Sequence, residues 1–211
     1  MKIDSSNALQ ILVLVGGMSL IPAILFTVTG FTRILIVLGF IRSAMGTTTT
    51  PPNQVLVGIA LFLTFFVMKP TIGAVVHDAW DPLQHHQITM STAISRAEEP
   101  LREFMFKQVQ GQDLTLFVSL AKIPDPATRA QVPTYVLIPA FILSELKTAF
   151  QIGFLIFLPF LIIDLIVSST LMSVGMMMLP PTFVSLPFKI LLFVLVDGWD
   201  LITRSLIQSF H

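Results

Sequence analysis

Five charged side chains stand alone in apolar surroundings. Glu145 and Lys147 lie in PAFILSELKTAFQIGF, Asp164 in LPFLIIDLIV, Lys189 in LPFKILL, and Arg33 within the first apolar block. An ionised group in such a setting is costly and normally faces an opposite charge or a wet cavity. Two readings follow: ion pairs that set the register of apolar helices, or the lining of a polar pathway or an intersubunit contact. Glu145 is expected to be buried against a basic residue, with Lys189, Lys147 and Arg33 as the candidates.

Other residues offer less. His85 and His86 could bind a metal, but neighbours on a helix do not converge, and HDAWDPLQHH reads as a solvated loop. Asp197 and Asp200 could share a helical face beside Trp199, where an interfacial anchor is the better reading than catalysis. No P-loop, GxGxxG, HExxH or GxSxG pattern occurs. The sequence therefore points to no enzyme and no cofactor. It has no Cys, which excludes disulfides and thiolate metal sites.

The elements that must hold these charges are apolar. Hydrophobic residues make up 54% of the 211 and charged residues only 11%, against about 25% charged in an ordinary soluble domain. Mean hydropathy is +0.86. The net charge is zero, so composition carries no nucleic-acid footprint. The order along the chain is apolar, polar, apolar. From Ser5 to Val76 the only formal charges are Arg33, Arg42 and Lys69; from His77 to Gln131 charges of both signs crowd in.

Residues 1–76 read as an N-terminal apolar helical hairpin, turned at GTTTTPPN, where tandem proline ends one helix and can start the next. Residues 77–131 read as a polar two-helix insert. Ile94, Leu101, Phe104, Met105 and Val109 recur at helical spacing. In the second insert helix Asp113 and Lys122 sit where the helix dipole favours them. Residues 132–211 read as a C-terminal apolar hairpin, cut at Pro159, with a Met-rich loop and an amphipathic tail. Arg33 and Arg42, beside the first turn, place that turn in the cytoplasm by the positive-inside rule. The insert and the N-terminus then lie outside, which removal of a leader before Met1 would explain.

SVGMMMLPP, residues 173–181, sets Met176, Met177 and Met178 in a row between Gly175 and a proline pair. Within one chain this is a hairpin tip packed by flexible thioethers that fill irregular gaps. Together with TTTTPPNQVLVGIALFLTFFVMKP and PAFILSELKTAFQIGFLIFLPFLIIDLIVSS, it resembles the three signature blocks of the FliP family, the flagellar members of the type III secretion export-gate proteins (SctR in injectisomes). The resemblance covers nearly the whole chain, in order.

That resemblance implies an all-α, membrane-associated fold: long broken helical hairpins with a small periplasmic helical insert, several copies forming a helical gate. It implies a gate with FliQ and FliR, alongside FlhA and FlhB, in the flagellar basal body at the inner membrane. Unfolded flagellar proteins pass through it. Apolar helices would then pack largely on neighbouring subunits on the periplasmic side, and hydropathy cannot separate that burial from lipid. The resemblance also gives Met176, Met177, Met178 and Gly175 the role of a pore gasket. Phe104 and Phe117, large for so small an insert to bury, are expected to pack against a neighbouring subunit, with the chain's own core as the alternative. An injectisome gate subunit, a small-solute transporter and a scaffold that never lines the pore are the rival readings.

Overall fold

The computed structural model describes residues 25–47, 49–176 and 178–210, and these residues are helical or connecting; residues 8–24 of the first apolar block lie outside them. Helix α1 (Phe31–Ala44) follows a break at Thr29–Gly30, where the Thr29 hydroxyl accepts the Phe31 N–H at 3.3 Å. It ends at Gly46, whose φ of +77° suits glycine. The Gly46 N–H donates to Ser43 O and the Thr47 N–H to Arg42 O, a Schellman closure. Pro52 then caps α2 (Asn53–Val75), and Arg42 Nη1 braces the turn on Asn53 Oδ1.

The expected loop HDAWDPLQHH is helical instead. Helix α2 continues through one π turn, Val76–Trp80, into Asp81–Gln84. Pro82 has no N–H to give the preceding turn, and Arg96 Nη1 lies 3.4 Å from Asp78 O, the carbonyl four residues before it. His85 and His86 close the helix, with His85 Nδ1 2.7 Å from Asp81 O.

The insert supplies α3 (Met90–Gln108), capped by Thr89, and α4 (Gly111–Leu120). Lys122 is not in the last turn of α4. It follows the helix with φ of +55°, and its N–H donates to Ser119 O at 3.1 Å.

Helix α5 (Thr134–Ser173) is one element of 40 residues, about 60 Å long at 1.5 Å per residue. Pro159 does not cut it. The helix continues past it, and Phe160 packs on Phe193 of the following helix. Helices α6 (Pro181–Leu195) and α7 (Gly198–Gln208) complete the chain. Asn53–Gln84 and Thr134–Ser173 are long and apolar enough to cross a membrane.

The largest interface joins α1 and α5, which run in the same direction. Arg33 meets Glu145 near the start of this contact, and Phe40 packs edge-on to Phe150 further along. The helices approach closely because residue 153 is glycine: a Cβ there would lie 2.5 Å from the Phe40 ring and 3.1 Å from Phe40 Cβ. Gly153→Ala is therefore expected to cost about 1–3 kcal/mol by overpacking, with Gly153→Ala/Phe40→Ala recovering part of the loss. Thermal unfolding in detergent measures both; a neutral Gly153→Ala would refute the close crossing.

Candidate functional site

The lone charges of the apolar blocks sort into three clusters along α5. The first is centred on Arg33, which is 1% exposed, as is Glu145. Arg33 Nε donates to Glu145 Oε2 at 3.0 Å and Nη2 to Glu145 Oε1. Nη2 also donates to Gln108 Oε1 at 3.0 Å. Nη1 donates to Ser209 O at 2.7 Å and to Ser209 Oγ at 3.1 Å. All the guanidinium N–H groups are thus used. The Phe210 ring lies 3.9 Å from the guanidinium carbon, and Gln108 Nε2 donates to Phe210 O at 2.9 Å. One side chain from α1 thereby ties down α3, α5 and the chain segment after α7. Gly30 lets Phe210 in, since a Cβ there would stand 2.5 Å from the ring.

The second cluster flanks Glu145, with Ser144 one residue before it and Lys147 two residues after. Asp113, 1% exposed, accepts from Lys147 Nζ and from Ser144 Oγ at 2.7 Å. Ser144 Oγ in turn accepts the Gln110 N–H at 2.9 Å. The run Ser144-Glu145-Leu146-Lys147 thus holds α4 with its serine and lysine, and α1 with its glutamate. Burial pushes the Asp113 carboxyl up. The hydrogen bonds from Lys147 and Ser144, with the lysine charge, outweigh burial and hold it below its ordinary value. Asp113 was read as a dipole residue only; nothing local marks it as the partner of Lys147, 34 residues away.

The third cluster joins α5 to α6. Asp164 Oδ2 accepts from Lys189 Nζ and Oδ1 from Ser185 Oγ, each at 2.6 Å. Lys189 is buried, and Asp164 keeps 27% of its side chain exposed. Neither meets Glu145.

The methionine tip closes α5 as Gly46 closes α1. Gly175 has φ of +80°, its N–H donates to Met172 O, and the Met176 N–H donates to Leu171 O. The two tips share one pattern, Gly-x4-Pro-Pro, at residues 46–52 and 175–181. Met176 is 48% exposed and Met178 99%; Met177 lies outside the described residues. The two phenylalanines of the insert part company. Phe104 packs within its own chain, edge-on to Phe141 and stacked on Phe210, which is the alternative of the two expectations for it. Phe117 is half-buried. Among the described residues no group of three His, Asp or Glu side chains could hold a metal.

The chain matches the FliP family model over residues 14–206. It is 56% identical over 204 residues to the flagellar biosynthetic protein FliP of Pectobacterium carotovorum subsp. carotovorum, covering 97% of this chain and 79% of that protein. It is 55% identical to the protein of that name from Bacillus subtilis (strain 168), covering 97% and 93%. The Aquifex aeolicus (strain VF5) protein of that name is 44% identical across 100% of this chain and 90% of its own length.

Two consequences of the charge network are testable. Removing either partner of the Arg33–Glu145 pair leaves the other buried and uncompensated. Arg33→Met and Glu145→Ala should each lower stability by about 3–5 kcal/mol, against about 1 kcal/mol or less for Glu98→Ala at the surface. Unfolding in detergent, with native gels for assembly, compares them; equal losses at Glu145 and Glu98 would refute the hub. The lowered Asp113 value makes its contribution fully present above the ordinary aspartate value, about 3.9. The contribution is lost as pH falls through the folded-state value. The gap in melting temperature between the chain and Asp113→Asn should be steady near neutrality and shrink below about pH 4. A gap that widens in acid would have the sign wrong.

Proposed function

The chain belongs to the FliP family, and we propose from this that it is a core subunit of the flagellar protein export gate. Several copies, with FliQ and FliR and beside FlhA and FlhB, would surround the passage through which unfolded flagellar proteins cross the inner membrane. The flagellar reading is preferred to the injectisome one because the relatives compared above all carry the flagellar name. The gate is a conduit rather than an enzyme. Its subunits need a rigid frame and a deformable constriction, and no catalytic group.

The observation that carries this reading is the methionine tip. A hairpin tip packed for the sake of its own chain would bury its large side chains, yet Met176 is half-exposed and Met178 almost fully so. Arranged around an axis, such tips make a ring of soft, apolar thioethers. A narrow apolar throat resists wetting and so blocks ions, while unbranched methionines change rotamer around a passing polypeptide. Gly175 holds the turn inward by taking a backbone conformation that a side chain would disfavour. The exposed aromatic faces of α2 and α5, with Phe62 at 80% and Phe65, Phe66, Phe150 and Phe154 all above half, are then covered by neighbouring subunits and lipid.

Replacing Met176, Met177 and Met178 together by Ala should open a leak without dissolving the assembly. Membrane conductance, or growth sensitivity to ionic stress, is expected to rise while complex yield stays near normal. If the methionines are hairpin packing instead, each buried side chain removed costs roughly 2–5 kcal/mol of stability, complex yield falls, and the surviving complex does not leak.

A further inference from the structure

Beyond Asp164 the chain leaves the helical bundle. Among the described residues from 161 to 184 none is buried. The first buried residue on the return is Ser185, followed by Lys189. Helix α1 ends near this level: Lys189 Nζ lies 3.7 Å from where a Cβ on Gly46 would stand. Helix α5 runs on from Asp164 to Ser173, about 14 Å further at 1.5 Å per residue. Among the described residues, the methionine tip therefore rides on an arm that has no buried residue between Asp164 and Ser185. At that base Asp164 receives both Ser185 Oγ and Lys189 Nζ, and the lysine is pressed against the first hairpin turn.

The chemistry of the base matters for the arm. Contacts between apolar side chains tolerate rotation and sliding. Hydrogen bonds to a carboxylate are directional, and charge-assisted ones are stronger than neutral ones. With each Asp164 oxygen held from a different turn of α6, the two helices are fixed in rotation as well as in separation.

We propose that Asp164, Ser185 and Lys189 are positioning residues: together they form the joint that sets the angle of the methionine-bearing arm against the bundle. The consequence for the throat rests on the gate reading above; the joint itself does not.

The chain has no Cys, so spin labels can be placed freely. One label at Ser173→Cys on the arm and one at Ser43→Cys near the first turn, both exposed positions, report the arm's angle. The labelled full-length chain is assembled into the export complex with an excess of unlabelled chain, so that only intrachain distances are read by pulsed electron resonance. Lys189→Met is expected to shift and broaden the distance distribution, and Lys189→Arg to keep it narrow. A control pair within the bundle, Ser119→Cys and Gln151→Cys, should not change in either variant. An unaltered arm distance in Lys189→Met overturns the proposal, and so does broadening of both pairs together, since that is general destabilisation. If Lys189→Met does not accumulate, Ser185→Ala removes one of the two bonds and keeps both charges, and an unaltered arm distance there is equally fatal. Conductance recorded on the same complexes separates the two ideas: a loosened arm without a leak supports the joint and counts against the gasket.

Discussion

The fold hangs on one buried guanidinium. Arg33 has no route to water, so each of its donors must find an acceptor inside the protein. The acceptors come from parts of the chain far apart in sequence: Gln108 in α3, Glu145 in α5 and Ser209 after α7. Meeting all of them at once leaves little freedom in how α1, the insert, α5 and the C-terminal segment sit together. The apolar surfaces around this point are interchangeable leucines, isoleucines and phenylalanines, which favour contact without specifying register. The ion pair is weak as a net source of stability, because burying both charges offsets much of their attraction. Its value lies in excluding other arrangements, each of which would strand a charge.

From that fixed point α5 acts as a continuous beam. Its Ser144–Lys147 run grips α1 on one side and α4 on the other, so the insert and the first hairpin are referenced to the same turn of helix. Its other end carries the methionines. The unbroken passage through Pro159 therefore has a mechanical meaning: a hinge there would uncouple the anchored end from the tip. The two hairpin tips share the Gly-x4-Pro-Pro pattern, with threonine in one and methionine in the other. They also share the helix closure at the glycine, and differ beyond it, where the Thr50–Pro51 peptide of the first tip is cis. Thr47 bonds its hydroxyl to Arg42 O at 3.2 Å and stays within the turn, whereas Met178 projects.

The apolar–polar–apolar order, the first hairpin turn, the insert helices and the amphipathic tail were legible in the sequence, because each depends on local patterns of apolar spacing, proline and glycine. Pairing was not. Glu145 had three candidate cations, and choosing among them requires knowing which helices cross, a property of the whole chain. Asp113 was legible as an acid in a first helical turn and invisible as the partner of Lys147. Pro159 and the π turn at Val76–Trp80 misled for a related reason: the local preference to break a helix was overridden by tertiary context. The exposure of the methionine tip was not legible from the residues alone, since a gap-filling methionine and an exposed one look the same in a string.

The same network changes how the charges speak about topology. The positive-inside rule counts cations that are free to interact with the membrane surface and the insertion machinery. Arg33 is sealed in the core with its charge matched by Glu145, and Arg42 is spent on Pro51 O and Asn53 Oδ1 in the first turn. Neither is a loop cation in the finished fold. The apolar faces of α2 and α5 are equally ambiguous when taken singly, because Phe62 or Phe154 loses water as well against a neighbouring helix as against an acyl chain. What distinguishes the two is the company of polar groups. Asp164 remains a quarter exposed on a helix otherwise lined with Leu, Ile and Phe. A carboxylate in that position is tolerable where protein or a wet passage lies against it, and costly where lipid does. On the gate reading proposed above, the partial exposure of that one side chain fits a face of the C-terminal hairpin set against protein or the passage rather than against lipid.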